Sequence, residues 1–427
     1  MERLGSTASS TSADSNRVTL SPLPPSPASG LPAAASTCSS SSGDPARFAA
    51  RRQRAWRSLR TLLDERGGAA WGAIDALVIS DPVHVSYLTG FSGDSSYLVL
   101  TAERSLMVSD GRYVEQIARE CPDLEAVIRP QGATTIGTLA SVLEMLGVKS
   151  VGVEGRLTLE NHHALMEAAP ASMSFPMVAG IVEELRAVKE AEEIARIETA
   201  VALARAAFRV WLAGLNPDWD EVTAARRLEE ALRDQGAIGS SFPIIVAAGA
   251  HAALPHARPR AGAVLSREEG ESGLLLVDWG ADLPPPSYKS DLTRMVRLSR
   301  LTDQFRAVYQ VVHAAHAAAV AAIRPGVEGR MVDQAARAVI EAAGYGSAFL
   351  HAVGHGIGLE IHERPGLRAE SRTLLMPGMV VTVEPGIYLP GWGGVRLEDD
   401  VLVTEEGSRL LCDSGLDPEP LTPPHLV

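Results

Sequence analysis

Two apolar runs in the second half of this chain each end in a carboxylate, and no other feature constrains the fold so tightly. Leu274 to Val277 runs into Asp278, and Val380 to Val383 runs into Glu384. Runs of this length and composition read as buried strands, and a buried carboxylate is costly unless something neutralises it. A second strand-like segment follows each run and carries further acids. SDLTRMVRL brings Asp291 after the tip LPPP, and GVRLEDDVLVT brings Glu398. If the first two segments form a hairpin, Asp278 and Asp291 can face one side of the sheet.

Taken singly, Asp278, Asp291 and Glu384 read as turn or cap residues, and the run Glu398, Asp399, Asp400 as a solvated strand end. His355, in HAVGHGIGLEIH, reads as structural when considered alone, although its glycines leave the backbone close to whatever the imidazole binds. Their joint occurrence outweighs these readings. Four carboxylates and one imidazole match the needs of two divalent cations in charge and in ligand type, with a bridging hydroxide as fifth anion and nucleophile.

Upstream, the pattern is different. ALVIS, SYLVLT, SLMVSD and SVGVE are short strand-like runs separated by the helical spacing of RYVEQIARE and TTIGTLASVLEMLG. That alternation indicates an α/β domain over 47–180; it concentrates no titratable groups and reads as scaffold and subunit interface. From residue 184 to 213 an apolar stripe of Ile194, Ile197, Val201, Ala204, Phe208 and Trp211 predicts one long helix. Asn216–Pro217 ends it, and Asp218 is placed to cap the next. A further helix is expected from Thr302 to Ile323, where His313 and His316 lie among alanines without acidic companions and read as packing or surface residues. Helices on antiparallel strand pairs make residues 181–415 an α+β domain.

Residues 1–46 carry 13 serines among the first 45 and read as a disordered tail; 416–427 read as a C-terminal tail. With 39 basic against 52 acidic residues and a net charge of −13, the chain is a poor candidate for tracking nucleic-acid phosphates. It lacks an apolar run long enough to span a membrane. Three scattered cysteines offer no disulfide framework and no thiolate zinc site, which suggests reducing cytoplasm.

DWGA…SDLTR, HAVGHGIGLEIHERP, MPGMVVTVEPGIYLPGWGG and GVRLEDDVLVT resemble, in order and spacing, the motifs of the pita-bread metallopeptidases, family M24. AAGAHAALPHARP resembles the segment before the first aspartate in the Xaa-Pro branch. YLTGFSGDSSYLVL and SDGRY resemble the creatinase-type N-terminal domain of aminopeptidase P and prolidase. The resemblance covers about residues 50–412. It implies a curved, mostly antiparallel catalytic sheet covered by helices, and a homodimer.

Position by position, it implies Asp278, Asp291, His355, Glu384 and Glu398 as ligands to two ions, most simply Mn²⁺, with Co²⁺, Zn²⁺ or Fe²⁺ able to use similar donors. Asp291 and Glu398 would bridge, Asp278 would chelate one ion, and His355 would bind the other. Glu384 would also shuttle the proton. His256 and His362 would contact substrate and stabilise the tetrahedral intermediate, and His351 and Arg396 would line the pocket. One departure from the family pattern is a spacing of thirteen from Asp278 to Asp291, two longer than usual. An even insertion at a hairpin tip keeps side-chain parity, so the ligand geometry should survive it.

The activity so implied is cleavage between an N-terminal residue and a following proline, with aminopeptidase P-like preference for longer peptides and prolidase as the alternative. No extra basic residue marks a clamp for a dipeptide carboxylate. A metal-free creatinase-like C–N hydrolase or a non-enzymatic pita-bread protein would lack one or more of these ligands.

Overall fold

The structure is a computed structural model that describes residues 44–65, 73–267, 270, 273–412 and 419–426. The expected N-terminal tail therefore lies outside the described residues up to 43, and part of the C-terminal tail does too. No described helix is long and apolar enough to cross a membrane.

The described residues begin before the expected residue 47. Helix α1 (Pro45–Glu65) opens with Asp44 accepting a hydrogen bond from the Ala46 amide. A six-stranded sheet follows, built from β1 (Ala76–Ile79), β2 (Tyr97–Thr101), β3 (Ser105–Ser109), β4 (Glu125–Ile128), β5 (Val151–Glu154) and β6 (Met177–Val178). Between them lie α2 (Pro82–Thr89), α3 (Val114–Glu120), α4 (Thr135–Met145) and α5 (Leu159–Ala168). The sheet order is β4-β3-β2-β1-β5-β6, with β1–β2 and β2–β3 antiparallel and the outer pairings parallel. Strand alternation sorts the side chains onto two faces. Leu77, Ile79, Leu98 and Leu100 pack on α1 and α2, while Val78, Val99, Val151 and Val153 pack on α4 and α5. Burial on both faces explains why these strands read as short continuous apolar runs.

The predicted helix over 184–213 is two helices, α6 (Ile181–Ala187) and α7 (Ala191–Ala213). Between them Val188 forms a β-bridge to Met379, and the Lys189 amide donates to Gly378 O at 2.9 Å. Glu190 and Glu193 then close a capping box that restarts the helix. In α8 (Glu221–Asp234) the cap is Asp220 and not Asp218. Asp220 accepts from the Thr223 amide at 2.8 Å, whereas the Asp218 amide closes a turn on Asn216 Oδ1 at 2.9 Å.

Beyond it come β7 (Gly239–Ser240), β8 (Ile245–Ala248), β9 (Leu274–Trp279), β10 (Ala281–Asp282) and β11 (Leu292–Arg297). Helices α9 (Asp303–Ala322) and α10 (Gly329–Ala342) pack together and lead to β12 (Gly354–Gly356), β13 (Glu363–Leu367), β14 (Val380–Val383), β15 (Gly386–Leu389), β16 (Gly393–Arg396), β17 (Asp399–Val403) and β18 (Ser408–Leu410). Sheets of order β11-β9-β8 and β13-β12-β14-β17-β18 meet through the isolated Thr293–Glu398 bridge, and β15–β16 form a separate small ribbon. Leu275, Val277 and Trp279 face α7 and α8, where Trp279 stacks on Phe208 with centroids 4.1 Å apart. Leu274 and Leu276 face α9 and the second set of strands. Asp278 continues that inward row. Part of the expected C-terminal tail also docks, since Leu421 exchanges backbone hydrogen bonds with β11 through Met295 O (3.0 Å) and Arg297 N (2.9 Å).

Candidate metal centre

The first hairpin closes in register despite its long tip. Thr293 lies opposite Asp278 and Leu292 opposite Trp279, so Asp291, two positions before Thr293, shares the Asp278 face. The tip is held by Asp282 pairing with Lys289 at 2.5 Å and by Arg196 of α7, which donates to the carbonyls of Pro284 and Pro286. From the second set of strands, His355 lies in β12, Glu384 follows β14, Arg396 ends β16 and Glu398 precedes β17.

These elements bring Asp291, His355 and Glu398 together, with one ligand-type atom from each within 4.8 Å of the others. His355 Nε2 lies 3.4 Å from Glu384 Oε1 and 3.8 Å from Asp291 Oδ2. His355 Nδ1 lies 3.1 Å from Gly356 O. A carbonyl only accepts, so this contact assigns the proton to Nδ1 and turns the Nε2 lone pair toward the carboxylates. The exposed His362 ring packs edge-on against the His355 ring, centroids 4.3 Å apart.

Asp278 joins through Arg396, whose Nη2 donates to Asp278 Oδ2 at 2.5 Å. Arg396 also donates from Nε to Thr293 Oγ1 (3.1 Å) and from Nη1 to Tyr388 Oη (2.8 Å) and Pro255 O (3.1 Å). Thr293 Oγ1 donates in turn to Glu398 Oε2 at 2.6 Å. His351 extends the chain, its Nε2 lying 2.8 Å from Tyr388 Oη and its Nδ1 2.8 Å from Ala352 O. His256 is exposed on the loop beyond Pro255, and its field reaches Asp278, His351 and His362.

Buried carboxyls crowd here without enough countercharge. Burial pushes Asp291 well above the usual carboxylate range, and repulsion from Glu398, Asp278 and Glu384 adds to it. Glu398 is pushed well up by burial and by Glu384 and Asp278. Burial takes Glu384 to about 8 against the pull of Arg396, and raises Asp278 against the same guanidinium. His355 is driven down to about 4, chiefly by burial. Asp278 Oδ1 is buried and makes no hydrogen bond, an expensive state for a carboxylate oxygen. Divalent cations would supply both the missing charge and the missing partner, so the donor set fits them.

Sequence reasoning missed several contributors. Tyr388 and Thr293 bind the guanidinium; Thr293 was legible as the residue two beyond Asp291 on the same face. His316 does have an acidic companion: it is 4% exposed, with Nε2 3.4 Å from Asp399 Oδ2. Its spacing from Tyr309 and Val312 placed it on the buried stripe of α9. The N-terminal half also holds a charge cluster. His84 Nδ1 lies 2.7 Å from Glu154, Glu154 accepts from Ser80 and Asp81, and Arg156 joins Asp81 (2.8 Å) to Glu360 (2.7 Å), two residues before His362.

The chain matches Metallopeptidase family M24 over residues 195–405 and the Creatinase/Prolidase N-terminal domain over 56–188. It is 40% identical over 357 residues to an uncharacterized peptidase, YqhT, of Bacillus subtilis, covering 83% of this chain and 97% of that one. Among solved structures it resembles an Xaa-Pro dipeptidase from Bacillus anthracis (TM-score 0.79, 35% identity, 88% of this chain and 99% of that one). It also resembles an X-Pro aminopeptidase from Thermotoga maritima (TM-score 0.73, 31% identity, 86% and 99%). Motif order, paired hairpins and a carboxylate-rich centre thus agree with these likenesses, and the chain belongs to the M24 metallopeptidases, with a creatinase-type N-terminal domain ahead of a pita-bread catalytic domain.

Proposed function

We propose that this protein hydrolyses the bond before proline in Xaa-Pro dipeptides, using two divalent ions held by Asp278, Asp291, His355, Glu384 and Glu398. The observation that carries the reading is the convergence of Asp291, Glu398 and an oriented His355 imidazole, with Glu384 3.4 Å from that imidazole and Asp278 Oδ1 buried and unpartnered. Such ions, when bound, supply Lewis acidity that polarises a carbonyl and lowers the pKa of water. Mn²⁺ is the ion we favour, because the donors are mostly oxygen with a single imidazole.

The chain's own groups then have distinct tasks. Glu384 is placed to take a proton from water and pass it to the leaving nitrogen. His362, exposed at the rim beside His355, donates a hydrogen bond to the carbonyl oxygen as charge develops there. His256 and His351 bound the prolyl side. A prolyl nitrogen carries no N–H and presets φ, so a pocket that asks for no donor there accepts what ordinary peptidase sites refuse.

The choice of dipeptides reverses the expectation from sequence. It is supported by the stronger likeness to the Bacillus anthracis dipeptidase. The Thermotoga maritima likeness supports the second reading, release of the N-terminal residue from longer peptides.

The test compares Xaa-Pro with Xaa-Pro-Yaa hydrolysis by metal-stripped protein, with and without Mn²⁺. Mn²⁺-dependent cleavage faster on the dipeptide, and abolished by Asp291→Asn, supports the proposal. Faster cleavage of the tripeptide favours the second reading, and no cleavage with two ions bound overturns both.

A further inference from the structure

The buried charges behind the centre belong to a second network, whose meaning rests on the metal-ligand reading above. Asp399 and Asp400 follow Glu398, and neither is exposed at all. Strand alternation keeps Asp400 on the Glu398 side and sends Asp399 to the opposite face. Asp400 Oδ2 accepts from the Asp291 amide at 3.0 Å. Asp399 Oδ1 accepts from Arg294 Nη2 at 2.6 Å, while its Oδ2 lies 3.4 Å from His316 Nε2 of α9 with no hydrogen bond between them. Arg294 is itself buried, at 8% exposure, and its Nη1 donates to Glu398 O at 2.5 Å and to Thr293 O at 3.0 Å.

The location of these bonds is informative. β11 and β17 belong to different sheets and meet through one β-bridge, Thr293–Glu398. Apolar packing resists their separation but is tolerant of sliding, and a slide of an ångström would spoil a shared carboxylate pair. Arg294 grips the backbone of Glu398 with one nitrogen and the side chain of its neighbour with the other, so it resists sliding in both directions. A buried ion pair of this kind adds little stability over apolar residues of the same volume, so stability alone does not account for it.

We propose that Arg294 and Asp399 are positioning residues that fix the distance between the two carboxylate-bearing hairpins before any ion arrives, and thereby set the affinity of the site shared by Asp291 and Glu398. They touch neither ion nor substrate. The partner they serve is the divalent cation.

The deciding experiment titrates Mn²⁺ into metal-stripped full-length protein, wild type and Arg294→Met/Asp399→Leu, by calorimetry and by the electron paramagnetic resonance of free Mn²⁺. Both partners of the pair become apolar, so the fold is expected to persist, with the metal-free melting temperature close to wild type. The expected result is Mn²⁺ affinity weakened about 10- to 100-fold, the range typical of groups that orient metal ligands, with activity recovered at high Mn²⁺. Wild-type affinity in this variant overturns the inference while leaving the metal reading intact. A wild-type protein that binds no ion overturns both. Should the double variant fail to fold, Arg294→Lys decides in its place, since it keeps the buried charge and loses the two-pronged grip. Weakened Mn²⁺ binding at unchanged melting temperature then supports the inference, and unchanged binding overturns it.

Discussion

Single side chains in the centre carry separable jobs, and substitutions should separate them. His362→Ala is expected to lower kcat on an Xaa-Pro dipeptide by about 10²- to 10³-fold, the cost of one donor to a developing oxyanion, with bound Mn²⁺ unchanged. A matching loss of metal would instead make His362 a ligand. Thr293→Val removes the hydroxyl that accepts from Arg396 Nε and donates to Glu398 Oε2. The metal-free protein should lose about 1–3 kcal/mol, read from urea unfolding, and bind Mn²⁺ about tenfold more weakly. The acids were legible only jointly, because Asp278, Asp291, Glu384 and Glu398 recur at strand ends beside His355, whereas each alone reads as a turn, cap or solvated strand-end residue. Arg396, Thr293 and Tyr388 form their chain across three strands, and nothing local in the sequence reports which hydroxyl meets which guanidinium.

Among the elements, the junction of α6, α7 and β13 shows how local signals can be overruled. Its sequence is uninterrupted helix by spacing, yet Lys189 leaves the helix for a backbone bond to Gly378 and lies 3.4 Å from Glu363 Oε2. Glu363 also accepts from Arg186, and Arg186 is 3% exposed. A tertiary contact so distant in sequence leaves no periodic trace, and the break was therefore missed. Burial opposes ionisation of Glu363, but Lys189 and Arg186 outweigh it and hold its carboxyl below the ordinary range. A depressed carboxylate contributes stability above its unfolded pKa and loses it as pH falls through the folded value. Wild-type unfolding midpoints should therefore fall as pH drops below about 4.5, the ordinary glutamate range, and Glu363→Gln should flatten that portion of the profile. At neutral pH the same substitution leaves two buried cations without their acid and should cost about 3–5 kcal/mol. A near-neutral result in urea unfolding would show that Glu360 and Glu193 suffice.

For the molecule as a whole, the α/β character of the first half and the strand pairs of the second were readable from alternation and apolar runs, but the antiparallel centre of the first sheet was not. The contact between halves was not, because Arg156, Asp81 and Glu360 are unremarkable until the fold brings them together. The charge imbalance at the centre has a global signature. Metal-stripped protein at neutral pH should melt at a lower temperature than protein with Mn²⁺ at 100 times its dissociation constant, which adds about 2.7 kcal/mol of stability. EDTA should reverse the gain, and a melting temperature indifferent to both would mean that no structural ion binds. The spread of the ligands along the chain has a further effect on how the protein is made. Asp278 and Glu398 lie 120 residues apart, with α9 and α10 between them in the chain. On the proposed ligand set, a polypeptide ending between residues 384 and 398 would hold four of the five ligands and lack Glu398, so capture of both ions would wait for a longer chain. A chain shortened ahead of that residue thus carries an incomplete centre.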